Sequence, residues 1–226
     1  MSAARLLRLR AGLRGEVQLA AIVDTPAALR RMRASLTASD HHAARRFRNR
    51  SRRRAFLLGC ALLRETLAGR RGAPARRVAL RLRPGRRPLQ RRTGRGPRAL
   101  SVSHAGGWVL VAASPGAALG RRIGIDVEPA DRVLREAVER RMPWHHEVPA
   151  DNGRRLRDWT LAEAAVKADG RGLPGLSALG AQRAPQDGRV RLRVSLPPHH
   201  RILALELQGL PRGLVGALAL ASRPPI

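Results

Sequence analysis

Two acidic residues with one position between them, Asp126 and Glu128, stand in the run Gly124-Ile125-Asp126-Val127-Glu128. Further along, Trp159, Glu163 and Lys167 recur at intervals of four. Carboxylates and an ammonium are the groups that handle hard cations and phosphates. Three carboxylates suit Mg²⁺, which keeps part of its water shell and takes its remaining ligands from substrate phosphates. An ammonium meets a phosphate oxygen as a compact point charge. Each pair also has a plainer reading. Asp126 and Glu128 read equally as a solvated strand end. Glu163 and Lys167 read equally as an i,i+4 ion pair worth about 0.2–0.5 kcal/mol on a helix surface. Lys167 has a further distinction: of 45 basic residues it is the one lysine, all others being arginine.

The elements that must position these groups follow from the local pattern. Residues 123–127 read as a strand, so Asp126 and Glu128 share a face. Residues 154–168 read as a helix closed by Gly170, with Trp159, Glu163 and Lys167 in one row along it. Elsewhere, residues 43–69 read as a helix with Phe47, Ala55, Leu58 and Leu62 near one face, ended by Gly69, Gly72 and Pro74. Residues 78–83 alternate apolar and basic as a short strand, and 84–98 form a basic Pro/Gly/Arg loop. Residues 100–102 and 108–113 read as strands around a turn at 104–107. Residues 130–141 read as a short amphipathic helix and 143–153 as a loop. Residues 190–196, 202–207 and 214–221 read as strands. The runs Gly107–Ser114 and Gly213–Ser222 resemble each other as small-apolar strands ending in serine. This weak repeat suggests two similar α+β halves, 1–115 and 116–226, although Ala/Val/Leu-rich strands also look alike without any repeat.

The charge is large and uneven. The net charge is +29 over 226 residues, with 43% hydrophobic residues, enough for a core. Residues 1–100 carry 27 arginines and 4 acids, net +23; the remainder nets +6. Such a half wants a polyanion. Nucleic acid is one answer; a phosphorylated small molecule or an acidic protein is another. Against nucleic acid, aromatics for base stacking are scarce, with Phe47, Phe56, Trp108, Trp144 and Trp159 the full set. A single cysteine, Cys60, excludes an internal disulfide and a multi-cysteine metal site. The longest stretch without a charged residue, 99–120, is too broken by glycine, proline and polar residues to span a membrane. The N-terminal MSAARLLRLRAGLRGE is interrupted by arginine, so no signal peptide is expected. A cytoplasmic setting fits. Six of the seven histidines form adjacent doublets, which point apart and make poor chelators. Gly170-Arg171-Gly172-Leu173-Pro174-Gly175 has dinucleotide-motif spacing but follows a helix, where the fingerprint must follow a strand. No G-x-S-x-G elbow is present.

Three blocks in order carry a resemblance: Ser101-Val-Ser103-His104-Ala-Gly106-Gly-Trp108 with Ala112, then Gly124 to Glu128, then Trp159-Thr-Leu-Ala162-Glu163-Ala-Ala-Val-Lys167 with Gly170, Gly172 and Leu173. Arg45-Arg46-Phe47, Leu58-Gly59 and Arg83-Pro84-Gly85-Arg86-Arg87-Pro88 extend it upstream. Over roughly residues 38–176 the chain resembles the 4′-phosphopantetheinyl transferases of the larger single-chain, surfactin-synthetase-activating class. The resemblance implies two similar α+β subdomains in a pseudo-two-fold arrangement. It implies transfer of the phosphopantetheine arm of coenzyme A to a serine of an acidic acyl or peptidyl carrier protein, as a holo-carrier synthase of secondary-metabolite biosynthesis. It implies Mg²⁺, or Mn²⁺, on Asp126, Glu128 and Glu163. Glu163 matches the base toward the carrier serine and Lys167 the pyrophosphate-binding lysine. Arg83, Pro84, Arg87, Ser103 and His104 match the remaining coenzyme A contacts. Neither nucleic acid nor membrane is an expected partner, and a monomer is expected. One departure stands out: Ala162 occupies a position where the family carries lysine, and Arg157 and Arg171 are the neighbouring cations that could replace it. The rival class is a non-enzymatic binder of nucleic acid or another polyanion through the arginine-rich half.

Overall fold

A computed structural model describes residues 7–9, 17–69, 74–81, 89–90, 98–115, 122–140, 142, 151–171, 173–178, 180–186, 189–196 and 200–222. The architecture is α+β, and the chain divides into two compact units at Ala118/Leu119.

The first unit holds β1 (Leu7–Leu9), β2 (Gln18–Val23), α1 (Pro26–Arg31), α2 (Ala38–Ala44), α3 (Arg50–Ala68), β3 (Leu80–Arg81), β4 (Leu89–Gln90), β5 (Arg98–Ala105) and β6 (Trp108–Pro115). Its main sheet is antiparallel in the order β1-β2-β6-β5, and β3 pairs with β4. The β5–β6 hairpin turns at Gly106 and Gly107, both at positive φ, as a tight hairpin turn of matching twist requires. Helix α3 lies on β2 and β6, burying Ala55, Leu58, Leu62, Leu63 and Leu67 against Ala20, Ile22, Val109 and Val111. Under it sits a fully buried ion pair, Arg64–Asp40 at 2.7 Å. Asp40 also caps α2 by accepting from the Thr37 N–H, and Arg64 donates to the Val78 carbonyl. These backbone contacts add to the ion pair, which keeps burial of the charges tolerable.

The second unit holds β7 (Arg122–Pro129), α4 (Glu136–Glu139), α5 (Asn152–Asp169), β8 (Gly180–Gln186), β9 (Arg189–Leu196), β10 (His200–Glu206) and β11 (Leu214–Ser222). These strands form one antiparallel sheet in the order β7-β11-β10-β9-β8. Helix α5 starts at Asp151, whose carboxylate accepts from the Arg154 N–H at 2.7 Å, and stops at Gly170, whose φ of 95° only glycine adopts cheaply. It packs on β7, β11 and β10, and Leu156, Trp159, Ala162, Ala165 and Val166 meet Ile202, Ala204, Ala217 and Ala219. The many alanines let helix and sheet approach closely. Gly124 is the extreme: a Cβ there would lie 2.0 Å from the Ala164 carbonyl oxygen and 2.5 Å from the Ala168 nitrogen.

Several expected elements are corrected. The helix expected over 43–69 begins at Arg50, because the Asn49 side chain caps the Arg52 N–H and the Arg53 guanidinium takes the Phe47 carbonyl, turning the chain after α2. The helix expected over 130–141 shrinks to α4, since 130–131 turn and the Ala130 N–H bonds to the Gly213 carbonyl instead. Of the strand expected over 78–83, Leu80 and Arg81 form β3, preceded by a 3-10 turn at Ala75–Arg77, and residues 82–83 lie outside the described residues. Strand β2 is an addition. Its sequence QLAAIV does not alternate, because four consecutive residues are buried.

Candidate functional site

The acidic pair and the helical row meet where β7 runs against α5. Gly124 brings the two backbones together, and two residues later Asp126 faces the helix turn that carries Glu163 and Lys167. The Lys167 Nζ lies 2.5 Å from Asp126 Oδ1 and 3.6 Å from Glu163 Oε2. The i,i+4 pair with Glu163 is thus present, and Lys167 lies closer still to a partner 41 positions away. Asp126 is almost fully buried, Glu163 is 17% exposed and Lys167 32%. Exposure rises along the helical row from Trp159, which is buried in the core, to Glu163 to Lys167. The row runs from packing at one end to solvent at the other. The buried indole N–H of Trp159 has no hydrogen-bond partner among the described residues.

Glu128 is also drawn in, but by a residue the sequence did not single out. Arg132, in the turn after β7, donates through its guanidinium to the Glu128 carboxylate. Two backbone-level contacts hold that turn in place: the Arg132 N–H bonds to the Pro129 carbonyl at 3.1 Å, and Asn152 Nδ2 donates to the Arg132 carbonyl at 3.1 Å. Position i+4 from an acid was the available signal, but Glu128 read as a strand end and Arg132 as part of a separate helix, so the pair fell across two elements.

The electrostatics are those of crowded carboxylates. The Glu163 carboxyl is pushed up to about 7, first by burial and then by the Asp126 carboxylate, with the Lys167 ammonium pulling the other way. Glu128 is raised by burial, and the Arg132 hydrogen bond opposes that. For Lys167, burial is the largest single influence and favours the neutral amine. The carboxylates of Asp126, Glu163 and Glu128 together outweigh it, so its pKa is raised and the ammonium is held charged.

Three carboxylates sit close enough to perturb one another, and their oxygen donors are the type a hard divalent cation takes. Two side-chain cations, Lys167 and Arg132, lie among them. In that paired state, no group of three Asp, Glu, His or Cys side chains among the described residues is arranged as a metal-ligating set. The donor chemistry fits such a cation; the arrangement is that of carboxylates closed on internal counter-ions.

The other expected site residues fall elsewhere. Ser103 and His104 lie on β5 of the first unit, opposite Leu110 and Val109 of β6. Ser103 is buried and His104 exposed, as adjacent residues of a strand should be. Arg83, Pro84 and Arg87 lie outside the described residues. Ala162 is fully buried in the α5 core. Arg157 and Arg171, the cations expected to stand in for a lysine there, are engaged elsewhere, with Glu206 at 3.9 Å and with Asp169. Among the described residues no helix is long and apolar enough to cross a membrane. No family model and no curated protein sequence matches the chain.

Proposed function

We propose that the chain is a 4′-phosphopantetheinyl transferase, moving the phosphopantetheine arm of coenzyme A to a serine of an acyl or peptidyl carrier protein and releasing adenosine 3′,5′-bisphosphate. The observation that carries this reading is the gathering of Asp126, Glu163 and Lys167, from residues 41 apart, with Glu128 joined to them electrostatically. This is the constellation that the ordered motif blocks imply. A second support is that Lys167, the one lysine, is held as an ammonium at the cluster's open side.

Asp126, Glu128 and Glu163 would hold Mg²⁺ or Mn²⁺, which when bound supplies charge neutralisation at the pyrophosphate. The chain's own groups do the rest. Glu163 is the candidate to take the carrier serine's proton, directly or through water, from its place beside Lys167. Lys167, while keeping Asp126, can offer another N–H of its ammonium to a pyrophosphate oxygen, where charge grows as the phosphorus–oxygen bond breaks. Ser103, His104, Arg83, Pro84 and Arg87 are proposed to take the nucleotide end of coenzyme A. In this reading the two α+β units are related subdomains of the transferase fold and the protein acts as a cytoplasmic monomer.

The test is mass spectrometry of a panel of apo carrier proteins incubated with the protein, coenzyme A and Mg²⁺. A phosphopantetheine mass increment on the carrier serine is the expected result. No increment on any carrier, with coenzyme A intact, would count decisively against it.

A further inference from the structure

We propose that Arg132 is a resident counter-cation of the carboxylate cluster, competing with a divalent cation for Glu128 and so setting how much cation the site needs. This rests on the metal reading given above. The Arg132 guanidinium donates to the Glu128 carboxylate, and Lys167 sits 2.5 Å from Asp126 and 3.6 Å from Glu163. Two fixed positive charges thus balance the cluster. A divalent cation added without displacing either would share its carboxylates with two positive charges, and like charges in a half-buried site repel. Lys167 is the less displaceable of the two, since its carboxylate partner Asp126 is almost fully buried. Arg132 is 38% exposed and Glu128 is 12% exposed, so the guanidinium can swing into solvent at small cost. Its backbone stays fixed throughout by the Pro129 and Asn152 contacts, which do not involve the guanidinium. Arg132 is therefore a positioning residue that acts through Glu128.

The experiment is Mn²⁺ binding to the full chain, read as free Mn²⁺ by electron paramagnetic resonance at fixed ionic strength, with no coenzyme A or carrier present. Wild type, Arg132→Ala, Arg132→Lys and the reference Asp126→Asn are compared. Wild type is expected to bind saturably and Asp126→Asn not to. Arg132→Ala is expected to lower the Mn²⁺ dissociation constant about five-fold, the upper range for removing a partly exposed ion-pair partner. Arg132→Lys, which keeps the charge and loses the fork, should fall between the two. A merely structural arginine would lower stability without tightening Mn²⁺. Arg132→Gln carries the same comparison if the alanine variant does not fold. Unchanged or weaker binding in the Arg132 variants, with saturable wild-type binding, overturns the competition and leaves the metal reading standing. Absence of saturable Mn²⁺ binding in every protein overturns both.

Discussion

Asp126 is the residue on which the site turns: it is buried, it holds Lys167, and it raises the pKa of Glu163. Asp126→Asn keeps the shape and removes the charge. We predict near-wild-type unfolding, because Lys167 can still reach Glu163 and solvent, and a loss of transfer of about 10²–10³-fold, the range for deleting one preorganised charge-stabilising group. Full activity across a Mg²⁺ titration would refute the assignment. Glu163 gives a pH prediction. Its folded carboxyl, raised to about 7, binds a proton more readily than the unfolded chain's. Between the ordinary carboxylate range and about 7 the folded state holds more protons, so this contribution to stability is present at low pH and is lost as pH rises toward 7. Metal-free protein should therefore melt higher at pH 5 than at pH 7.5, and Glu163→Gln should flatten that difference. Thermal scans of both proteins in chelator decide it. Lys167→Arg should lower turnover more than it weakens coenzyme A binding, since a longer planar fork cannot replace a compact ammonium beside Asp126. Wild-type kcat in that variant would make the lone lysine incidental. The residue types and their spacing were enough to single out Asp126, Glu128, Glu163 and Lys167. They could not indicate that Lys167 would choose Asp126 over Glu163, because that choice depends on how closely a strand and a helix approach.

That approach is made at the level of elements, and Gly124 controls it. A methyl group there would collide with the backbone of α5 at Ala164 and Ala168, which cannot move as a flexible side chain can. Gly124→Ala is expected to destabilise the second unit by about 3 kcal/mol, at the upper end of ordinary overpacking. It should also separate Asp126 from Lys167, so that activity falls even where the variant is folded. Denaturant unfolding, with kinetics measured well below the midpoint, checks both; an unperturbed midpoint would contradict the packing described here. The glycine was legible as part of the Gly124–Glu128 run but its packing role was not, since a close approach has no local signature. The same limit explains the helix ends. Gly170 announces the stop of α5 because a left-handed cap has a residue preference. Asn49 breaks the expected long helix ahead of α3 by competing for the backbone, in a stretch whose arginines carry no stop signal.

On the scale of the whole chain, the net charge of +29 is the feature that composition made plainest and that local geometry explains least. The first unit's acids do little to offset its arginines. Asp40 is buried against Arg64 and Asp24 is paired with Arg54 at 2.5 Å, while Glu65 accepts from Ser35. Arg45, Arg46, Arg48, Arg50 and Arg52 are all exposed around the start of α3. The transferase proposal assigns this surplus to an acidic carrier, since coenzyme A carries far fewer charges than such a surface could neutralise. We predict that the apparent Michaelis constant for an acidic carrier rises steeply between low and high ionic strength, because exposed charges farther apart than about 8–10 Å are screened at physiological salt. Turnover at saturating carrier should change little, since the carboxylate cluster and its counter-ions are partly buried. The nucleic-acid alternative shares the salt sensitivity but differs in its target and in its indifference to Mg²⁺. Binding would then go to polynucleotide, collapse with salt along a steep logarithmic slope and ignore Mg²⁺. Measuring carrier kinetics and polynucleotide binding across one salt series separates them. A Michaelis constant flat in salt, beside tight and salt-sensitive polynucleotide binding, would move the arginine surface from the transferase reading to the rival one.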